Sequence, residues 1–338
     1  MSPTNSRVTG QGGIPATPEV VEVAAGVIQR PDGSFLLAQR PKGKVYAGYW
    51  EFPGGKAHAG EPAEAALARE LHEELGIEVE TAYPWITRVF TYPHATVRLN
   101  FFRVTTWGGE PHPREDQAIA WQAPGHKMAS PMLPANAPVV ASLALPWEYA
   151  ITDATSYGTA VMLDKLERRL AQGLKLVQLR EPGLSAEDRK LFCDQALGRA
   201  RRYGCKVMVK SPHPGADGIH FTALELMGLN EKPPNLLVAA SCHDRRELER
   251  AMQLDLDFAV VGPVKQTASH PRVSAIGWDG FSKIVRGASI PVYAIGGLTA
   301  DDVEEAWRAG AHGLAMIRGS WNYFESCSRS GGSSVGTR

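Results

Sequence analysis

The chain has 338 residues, a length that suggests two domains of ordinary size. Hydrophobic residues make up 43% and the formal net charge is zero, so the sequence allows substantial buried cores and excludes a large basic surface for duplex nucleic acid. Its four cysteines, at positions 193, 205, 242 and 327, have no metal-type spacing and favour a reducing compartment over a disulfide scaffold.

Signals for secretion or membrane insertion are absent from the sequence. There is no signal peptide and no apolar run long enough to cross a bilayer, so we expect a soluble cytoplasmic protein with no membrane partner. Both ends are rich in small and polar residues, which predicts disordered tails over 1–18 and 322–338. The pattern of elements changes near residue 148, which predicts one α/β domain over 19–146 and a second over 147–321.

The first domain is predicted to begin with a β-hairpin. Residues 21–29 alternate as a strand, Pro31-Asp32-Gly33 forms a turn, and residues 35–39 return as the hairpin partner. Further along, Gly54 and Gly55 end a strand and Glu61-Pro62 opens a helix, because proline is well placed in a first helical turn.

Three glutamates characterise this predicted helix. Glu70, Glu73 and Glu74 stand at positions i, i+3 and i+4, which places them on one face within a turn of each other. Like charges at that spacing repel, and a bound hard cation such as Mg²⁺ or Mn²⁺, which carboxylate oxygens suit, would relieve the repulsion. The alternative is a salt-bridged acidic helix that faces solvent.

The segment 55–77, GKAHAGEPAEAALARELHEELGI, resembles the signature of the Nudix hydrolase family, G-x5-E-x7-R-E-U-x-E-E-x-G-U, in which U is aliphatic. Nine specified positions match, namely Gly55, Glu61, Arg69, Glu70, Leu71, Glu73, Glu74, Gly76 and Ile77. The resemblance implies an α/β/α sandwich with a mixed sheet. It also implies an enzyme that hydrolyses a nucleoside diphosphate linked to a further group, with Mg²⁺ as cofactor and Mn²⁺ as the alternative.

The same resemblance assigns roles to the matched residues. The implied metal ligands are the carbonyl of Gly55 and the carboxylates of Glu70, Glu73 and Glu74. Arg69 is expected to orient the glutamates rather than to touch the substrate. The alternative for Arg69 is an ion pair with Glu61 on the helix surface, which contributes little to stability by itself.

Over residues 20–145 the resemblance tightens toward the MutT type of this family, as in WEFPGG at 50–55 and LPANAPVVASL at 133–143. It implies a nucleoside triphosphate substrate, 8-oxo-dGTP diphosphatase activity, and a part in nucleotide-pool sanitation and DNA repair. Glu115 becomes a further metal ligand or proton acceptor. Arg40 becomes a phosphate-binding residue, for which its planar guanidinium is suited; the alternative is a solvated charge at a strand end.

The MutT pattern assigns base recognition to Asn136. An amide carries a donor and an acceptor, which suits the O6 and N7–H edge of 8-oxoguanine, whereas guanine presents a lone pair at N7. The alternative is an asparagine in a proline-flanked turn. Phe52 is expected to line the base pocket, with a buried strand residue as the alternative. Ala95 stands where the family has a base-contacting arginine, and the available substitutes are His94 and Arg98.

The second domain is predicted to be a (β/α)8 TIM barrel, because eight short β runs alternate with helical stretches. Continuous apolar strands are typical of a parallel sheet covered by helices. The runs are YAITD, LKLVQLRE, KVMVKS, GIHF, LLVAASCH, FAVVGPV, PVYAIGGL and GLAMIRGSW. The set resembles the thiamine phosphate synthase and TenI family.

Loops after the seventh and eighth strands of such barrels often hold a phosphate. Here these loops contain Gly296, Gly297, Gly319 and Ser320, and bare glycine N–H groups can approach phosphate oxygens. We therefore expect a phosphorylated small molecule as a barrel ligand. The alternative is that these glycines only form tight turns between strand and helix.

The catalytic pattern of the synthase family is incomplete in this chain. Pro182 follows Glu181 where the family has a lysine, residues 210–213 read KSPH in place of an Asn-Asp-Arg stretch, and the aspartate expected after residue 221 is absent. We expect a barrel that binds a ligand without catalysing synthesis. Two alternatives for the whole chain stay open: a Nudix hydrolase of a thiamine-related pyrophosphate, and a barrel that senses a phosphorylated ligand and regulates the hydrolase.

Overall fold

The computed structural model describes residues 20–114, 117–126, 128–267 and 274–322. The predicted tails lie outside these ranges except for Asn322, and so does Glu115. The described residues form two sheets with a packed helix, followed by a closed barrel. None of their helices is long and apolar enough to cross a membrane.

The first part of the chain contains seven strands and two helices within its described residues. The strands are β1 (Val20–Ile28), β2 (Phe35–Gln39), β3 (Trp50–Glu51), β4 (Gly54–Lys56), β5 (Glu78–Tyr92), β6 (Ala95–Gly108) and β7 (Ile119–Gln122). The helices are α1 (Ala63–Leu75) and α2 (Ala137–Ser142). One sheet has the order β4-β1-β6-β5 and the other has the order β3-β2-β7.

The first sheet is mixed, as the resemblance implies. Strand β1 runs parallel to β6 and antiparallel to β4, and β5 pairs antiparallel with β6. The β4 strand at the sheet edge therefore lies beside β1, and it carries the two glycines that precede the acidic helix.

The predicted hairpin between residues 21–29 and 35–39 is wrong. Strand β1 is already paired on both edges, by β4 and β6, so β2 pairs instead with β3 and β7 in the second sheet. Only an isolated bridge between Gln29 and Phe35 joins the two strands. The tight turn exists, with the Gly33 N–H donating to the Arg30 carbonyl, but the chain crosses from one sheet to the other there.

Helix α1 begins directly after Pro62, as predicted, and ends at Gly76 with a φ of 69°, a left-handed conformation that glycine adopts without strain. Its buried residues are Ala66, Leu67, Leu71 and Leu75. Their i, i+4 and i+8 spacing forms one apolar stripe, which packs on Ala24, Ile28 and Leu36 of the sheets. That stripe faces the core, and Glu70 and Glu74, which lie beside it, contact the glycines of β4.

The second part is a closed parallel barrel, and all eight predicted runs form its strands. They are β8 (Glu148–Ile151), β9 (Leu176–Leu179), β10 (Lys206–Val209), β11 (Gly218–Phe221), β12 (Leu237–Cys242), β13 (Phe258–Val261), β14 (Val292–Ile295) and β15 (Gly313–Met316). The named helices are α3 (Ala154–Tyr157), α4 (Thr159–Ala171), α5 (Ala186–Arg202), α6 (Ala223–Gly228), α7 (Arg245–Gln253), α8 (Gly277–Val285) and α9 (Val303–Arg308), with a 3₁₀ turn at Ala300–Asp302.

Strands β5 and β6 of the first part lie against the amino ends of the barrel strands. The Thr87 N–H donates to the Ala288 carbonyl at 2.9 Å, and Arg88 donates to the Ser289 carbonyl at 3.0 Å, just before β14. Arg103 donates to the carbonyl of His312, just before β15, at 2.8 Å. The two parts therefore contact each other at the end of the barrel opposite to the carboxyl ends of its strands.

Candidate active site and barrel cavity

The acidic face of α1 lies against the glycines of β4. Glu74 Oε2 accepts a hydrogen bond from the Gly54 N–H at 3.2 Å. The Glu70 carboxyl fills the space beside Gly55, because a Cβ added to that glycine would stand 2.2 Å from the Glu70 Cδ. The glycine is required at position 55 so that a carboxylate of the helix can approach the strand backbone.

Arg69 lies between the predicted carboxylate ligands. Its guanidinium donates to Glu70 Oε1 at 2.8 Å, to Glu61 through two nitrogens at 3.0 and 2.9 Å, and to Glu73 Oε2 at 3.4 Å. A fifth bond, at 3.0 Å, reaches the Lys56 carbonyl at the end of β4. Arg69 therefore connects the helix, the loop before it and the strand, which fits the predicted orienting role.

The pKa values around Arg69 reflect this pairing. The Arg69 hydrogen bonds, followed by the backbone N–H of His58, lower the pKa of the Glu61 carboxyl to about 2. The same bond to Glu61, and then the bond to Glu70, raises the pKa of Arg69. Both groups stay charged across the physiological range, so the loop before α1 and the helix remain joined by a charged pair.

The predicted metal ligands are close in the chain but not gathered at one point. Within the described residues, no three carboxylate or imidazole groups converge on a common ion position, and Glu115 lies outside those residues. The donor set of Glu70, Glu73, Glu74 and the Gly55 backbone nevertheless consists of oxygens, which suits a hard divalent cation. The Glu70 carboxyl lies close to the Gly55 backbone, in the space that a Cβ would fill, so the residues fit the implied Mg²⁺.

Arg40 forms an ion pair with the Glu51 carboxylate in this structure. Its Nη1 lies 2.6 and 2.8 Å from the two Glu51 carboxylate oxygens, and its Nε donates to the Val45 carbonyl at 2.8 Å. Both side chains are about one quarter exposed, at 24% and 25%. Burial raises the pKa of Glu51, and Arg40 opposes that rise. A substrate phosphate would have to share Arg40 with Glu51, so phosphate binding by Arg40 stays a prediction.

Asn136 is the residue before α2, and it is joined to the strand that leads to the glycines. Its Oδ1 accepts a hydrogen bond from the Phe52 N–H at 3.1 Å, and the side chain is buried, with 3% exposed. The Phe52 ring is also 3% exposed and packs against Phe35 and Phe101. This ring lies in the core, which agrees with the alternative given for Phe52, a buried strand residue. The backbone of Phe52, rather than its ring, faces Asn136.

The position where the family has a base-contacting arginine is Ala95, at the start of β6. Arg98 pairs with Glu22 at 2.7 Å on the sheet, so it is already engaged. His94 stacks on Tyr92, with ring centroids 5.6 Å apart, and Tyr92 belongs to the same apolar cluster as Phe52 and Ala135. Of the two substitutes, His94 therefore contacts the apolar cluster that contains Phe52 and Ala135.

The barrel contains a cavity of about 650 Å³ at the carboxyl ends of its strands. Three cationic side chains line it, Arg180, Lys210 and Arg318, and none forms an ion pair with a carboxylate in the described ranges. Gly296, Gly297 and Gly319 are on its wall, as predicted. Ser320 is not among the lining residues; it is fully buried and its hydroxyl donates to the Met316 carbonyl at 3.3 Å, so its side chain does not fit a phosphate-binding role.

The cavity floor is polar and neutral. His220 Nε2 lies 2.9 Å from Ser241 Oγ, and its Nδ1 lies 3.0 Å from the Tyr149 hydroxyl. Burial lowers the pKa of His220 to about 4, so the ring is neutral at physiological pH. His243, at the rim, is exposed and contacts Glu247 at 3.0 Å. A ligand with a phosphate at the cationic rim and an uncharged polar group at the floor matches this lining.

The sequence did not reveal Glu51 as the partner of Arg40, although Glu51 immediately precedes Phe52 in the WEFPGG segment. The two residues are 11 positions apart in the sequence, and they meet because β2 pairs with β3. Nor did the sequence reveal the contact between the two parts of the chain, because Arg103 and His312 are 209 positions apart.

The first part of the chain has an acidic helix packed on a strand with two adjacent glycines, and the second part is a barrel with a cationic cavity. Together these features define an enzyme that acts on phosphate compounds. A family described as NUDIX domain matches residues 24–142, and one described as thiamine monophosphate synthase matches residues 148–319. The chain therefore belongs to the Nudix hydrolase family through its first part and to the thiamine monophosphate synthase family through its second.

Individual relatives match each part separately. An 8-oxo-dGTP diphosphatase of Haemophilus influenzae is 40% identical over 122 residues, which are 36% of this chain and 90% of that protein. A CTP pyrophosphohydrolase of Escherichia coli is 37% identical over 122 residues, again 36% and 90%. A protein of Aquifex aeolicus provisionally named thiamine-phosphate synthase 2 is 31% identical over 182 residues, which are 51% of this chain and 96% of that protein.

Proposed function

We propose that this protein hydrolyses 8-oxo-dGTP to 8-oxo-dGMP and pyrophosphate with Mg²⁺ as cofactor. One observation carries the proposal. The segment from Phe52 to Gly55 is bonded to Asn136 at its first residue, and two residues later to Glu74 of the acidic helix. The group suited to read a base and the groups suited to bind a polyphosphate are thus both bonded to one short segment.

The protein side chains then have distinct tasks. Glu70, Glu73 and Glu74, with the Gly55 carbonyl, would hold the divalent cation, which neutralises phosphate charge and favours a water nucleophile. Arg69 holds Glu70 and Glu73 in place through the bonds described above. Glu115, which lies outside the described residues, is proposed as the proton acceptor or an additional ligand.

Asn136 favours 8-oxo-dGTP over other triphosphates in this proposal. Its Oδ1 accepts from Phe52, and a carbonyl oxygen has two lone pairs, so the amide can still accept N7–H while its Nδ2 donates to O6. Guanine would place a lone pair opposite Oδ1. The relatives include both an 8-oxo-dGTP diphosphatase and a CTP pyrophosphohydrolase, and the amide at this position is the reason for choosing the first.

We expect the Asn136→Asp variant to lose its preference for the oxidised base. Aspartate keeps an oxygen for the Phe52 N–H but replaces the amide donor by a second oxygen, which repels O6. One mismatched polar contact corresponds to a loss of about 10- to 100-fold in kcat/KM for 8-oxo-dGTP. The measurement is kcat/KM for 8-oxo-dGTP, dGTP and CTP, in the wild type and the variant.

Comparable kcat/KM values for 8-oxo-dGTP and dGTP in the wild type would reject the base-reading claim. Faster hydrolysis of CTP than of either purine would place this chain with pyrimidine-specific enzymes, and hydrolysis of thiamine pyrophosphate alone would support the thiamine-related alternative. Melting temperatures of both proteins check that the variant is folded.

A second function is proposed for the barrel, because three cationic side chains and four glycines line its cavity. We propose that it binds a phosphorylated small molecule without forming thiamine phosphate. We expect Arg318→Gln to weaken the binding of inorganic phosphate about ten- to a hundredfold, the usual loss for one charge-assisted hydrogen bond. Calorimetric titration measures this, with Arg199→Gln on the outer helix α5 as the control. Robust thiamine phosphate synthesis would overturn the non-catalytic assignment.

A further inference from the structure

Two side chains of the barrel hold the segment that follows α2. The Tyr293 hydroxyl donates to the Pro146 carbonyl, and His312 Nε2 lies 3.0 Å from the Leu145 carbonyl oxygen. Tyr293 is 0% exposed and His312 is 1% exposed. Because Leu145 and Pro146 come shortly after Ser142, where α2 ends, both bonds fix the carboxyl end of that helix to the barrel.

Arg103 of β6 sets the proton position on His312. Its Nη1 donates to the His312 carbonyl at 2.8 Å, and its Nη2 lies 2.8 Å from His312 Nδ1. A guanidinium can only donate, so Nδ1 accepts, and the neutral ring carries its proton on Nε2. That proton is the one donated to Leu145. Arg103 itself is held over the Trp85 ring at 4.4 Å, so the contact is rigid on both sides.

The helix anchored in this way begins at the base-reading residue. Asn136 precedes α2 by one position, and its carbonyl accepts from Val139 and Val140 in the first turn. The outer face of α2 is not fully packed against the barrel, since Pro138, Ala141 and Ser142 line an intervening cavity of about 190 Å³. This six-residue helix is therefore held by the buried Val139 on its inner face and by the bonds at its two ends.

We propose that Tyr293 and His312 are positioning residues of the nucleotide site, acting through α2 to hold Asn136 against the base. The barrel is in this view a part of the substrate-binding apparatus of the hydrolase, independent of any ligand in its own cavity. The inference rests on the proposed base reading by Asn136. It gives the fusion of the two parts a physical role, because two of the residues that support the base pocket belong to the barrel.

The test is the Tyr293→Phe variant of the full-length protein, which removes one hydroxyl and keeps the ring. Loss of the bond to Pro146 should raise KM for 8-oxo-dGTP about three- to tenfold. The ratio of kcat/KM between 8-oxo-dGTP and dGTP should fall with it. The kcat for 8-oxo-dGTP should stay within about a factor of two, because α1 and β4 are anchored by separate bonds.

Tyr149→Phe is the matched control. Tyr149 is equally buried in the barrel core and loses a hydroxyl that bonds only His220, so KM and discrimination should equal those of the wild type. Arg103→Met is the second variant, which keeps the packing on Trp85, removes both bonds to His312, and should produce the same rise in KM. If Tyr293→Phe does not fold, the KM of Arg103→Met tests the proposal instead.

Wild-type KM and discrimination in both Tyr293→Phe and Arg103→Met would overturn the inference. Equal losses in Tyr149→Phe and Tyr293→Phe would also overturn it, because they would indicate a general effect on barrel stability. The two proposals can fail independently. The proposed function is rejected if Asn136→Asp keeps the wild-type preference for 8-oxo-dGTP. The positioning role alone is rejected if Asn136→Asp loses that preference and Tyr293→Phe does not.

Discussion

Replacement of Glu73 by glutamine is expected to lower kcat for nucleotide hydrolysis by about 100-fold or more. The amide keeps the size of the side chain and removes the negative charge that a divalent cation requires, and loss of one such electrostatic contact to the transition state has effects of this order. Glu73 is 55% exposed and its bond to Arg69, at 3.4 Å, is the longest of that network, so the fold should not depend on it. The measurement is kcat at saturating Mg²⁺ and substrate.

Glu64→Gln provides the control for this variant. Glu64 lies in the first turn of the same helix and is exposed, so its loss changes the charge of α1 by the same amount away from β4. Wild-type turnover in Glu73→Gln would contradict the assignment of Glu73 as a metal ligand. A similar loss in both variants would attribute the effect to the helix charge instead.

The features that the sequence predicted well are those specified by neighbouring residues. Helix α1 follows from the leucine spacing between Leu67 and Leu75 and from its ending at Gly76, all within one segment. The eight barrel strands follow from short apolar runs whose alternation with helices permits few other arrangements. The gathering of Arg69, Glu61 and Glu70 also follows from their spacing on a single helix and its preceding loop.

The features that could not be predicted depend on pairing between distant segments. Strands β1 and β2 are consecutive in sequence, which favours a hairpin between them. Strand β1 pairs instead with β6, some 76 residues further along the chain. The bond between Asn136 and Phe52 joins residues 84 positions apart. The sequence predicts Ser320 at the cavity because it follows Gly319. In the structure, the helical turn at 318–322 directs its hydroxyl back to the Met316 carbonyl.

The same contrast explains why the sequence does not predict the contact between the two parts of the chain. Arg103 has the appearance of an ordinary strand residue, and burial without a carboxylate partner lowers its pKa to about 10. A buried cation of this kind is unfavourable unless its donors are satisfied. In the structure its two terminal nitrogens bond to His312, 209 positions away, whereas its Nε is buried without a hydrogen-bond partner among the described residues.

Replacement of Gly55 by alanine is expected to lower kcat/KM by about 100-fold while leaving the fold intact. The backbone of Gly55 does not have a positive φ, so alanine is compatible with the strand. Its Cβ would stand 2.2 Å from the Glu70 Cδ, and the carboxylate must move away. Because that carboxylate ends a flexible side chain, the helix need not shift, but a displacement of about 1 Å at a catalytic group is enough for such a loss.

Gly108→Ala is the matched control for this steric argument. Gly108 also lies in a strand without a positive φ, and its Cβ would approach Glu80 Oε1 at 3.6 Å and Glu78 Cβ at 3.8 Å, both ordinary contacts. We expect wild-type kcat/KM in that variant and a melting temperature within a few degrees of the wild type in both. Full activity in Gly55→Ala would show that the carboxylate of Glu70 need not lie against β4, and the metal site would then have to be assigned to other residues.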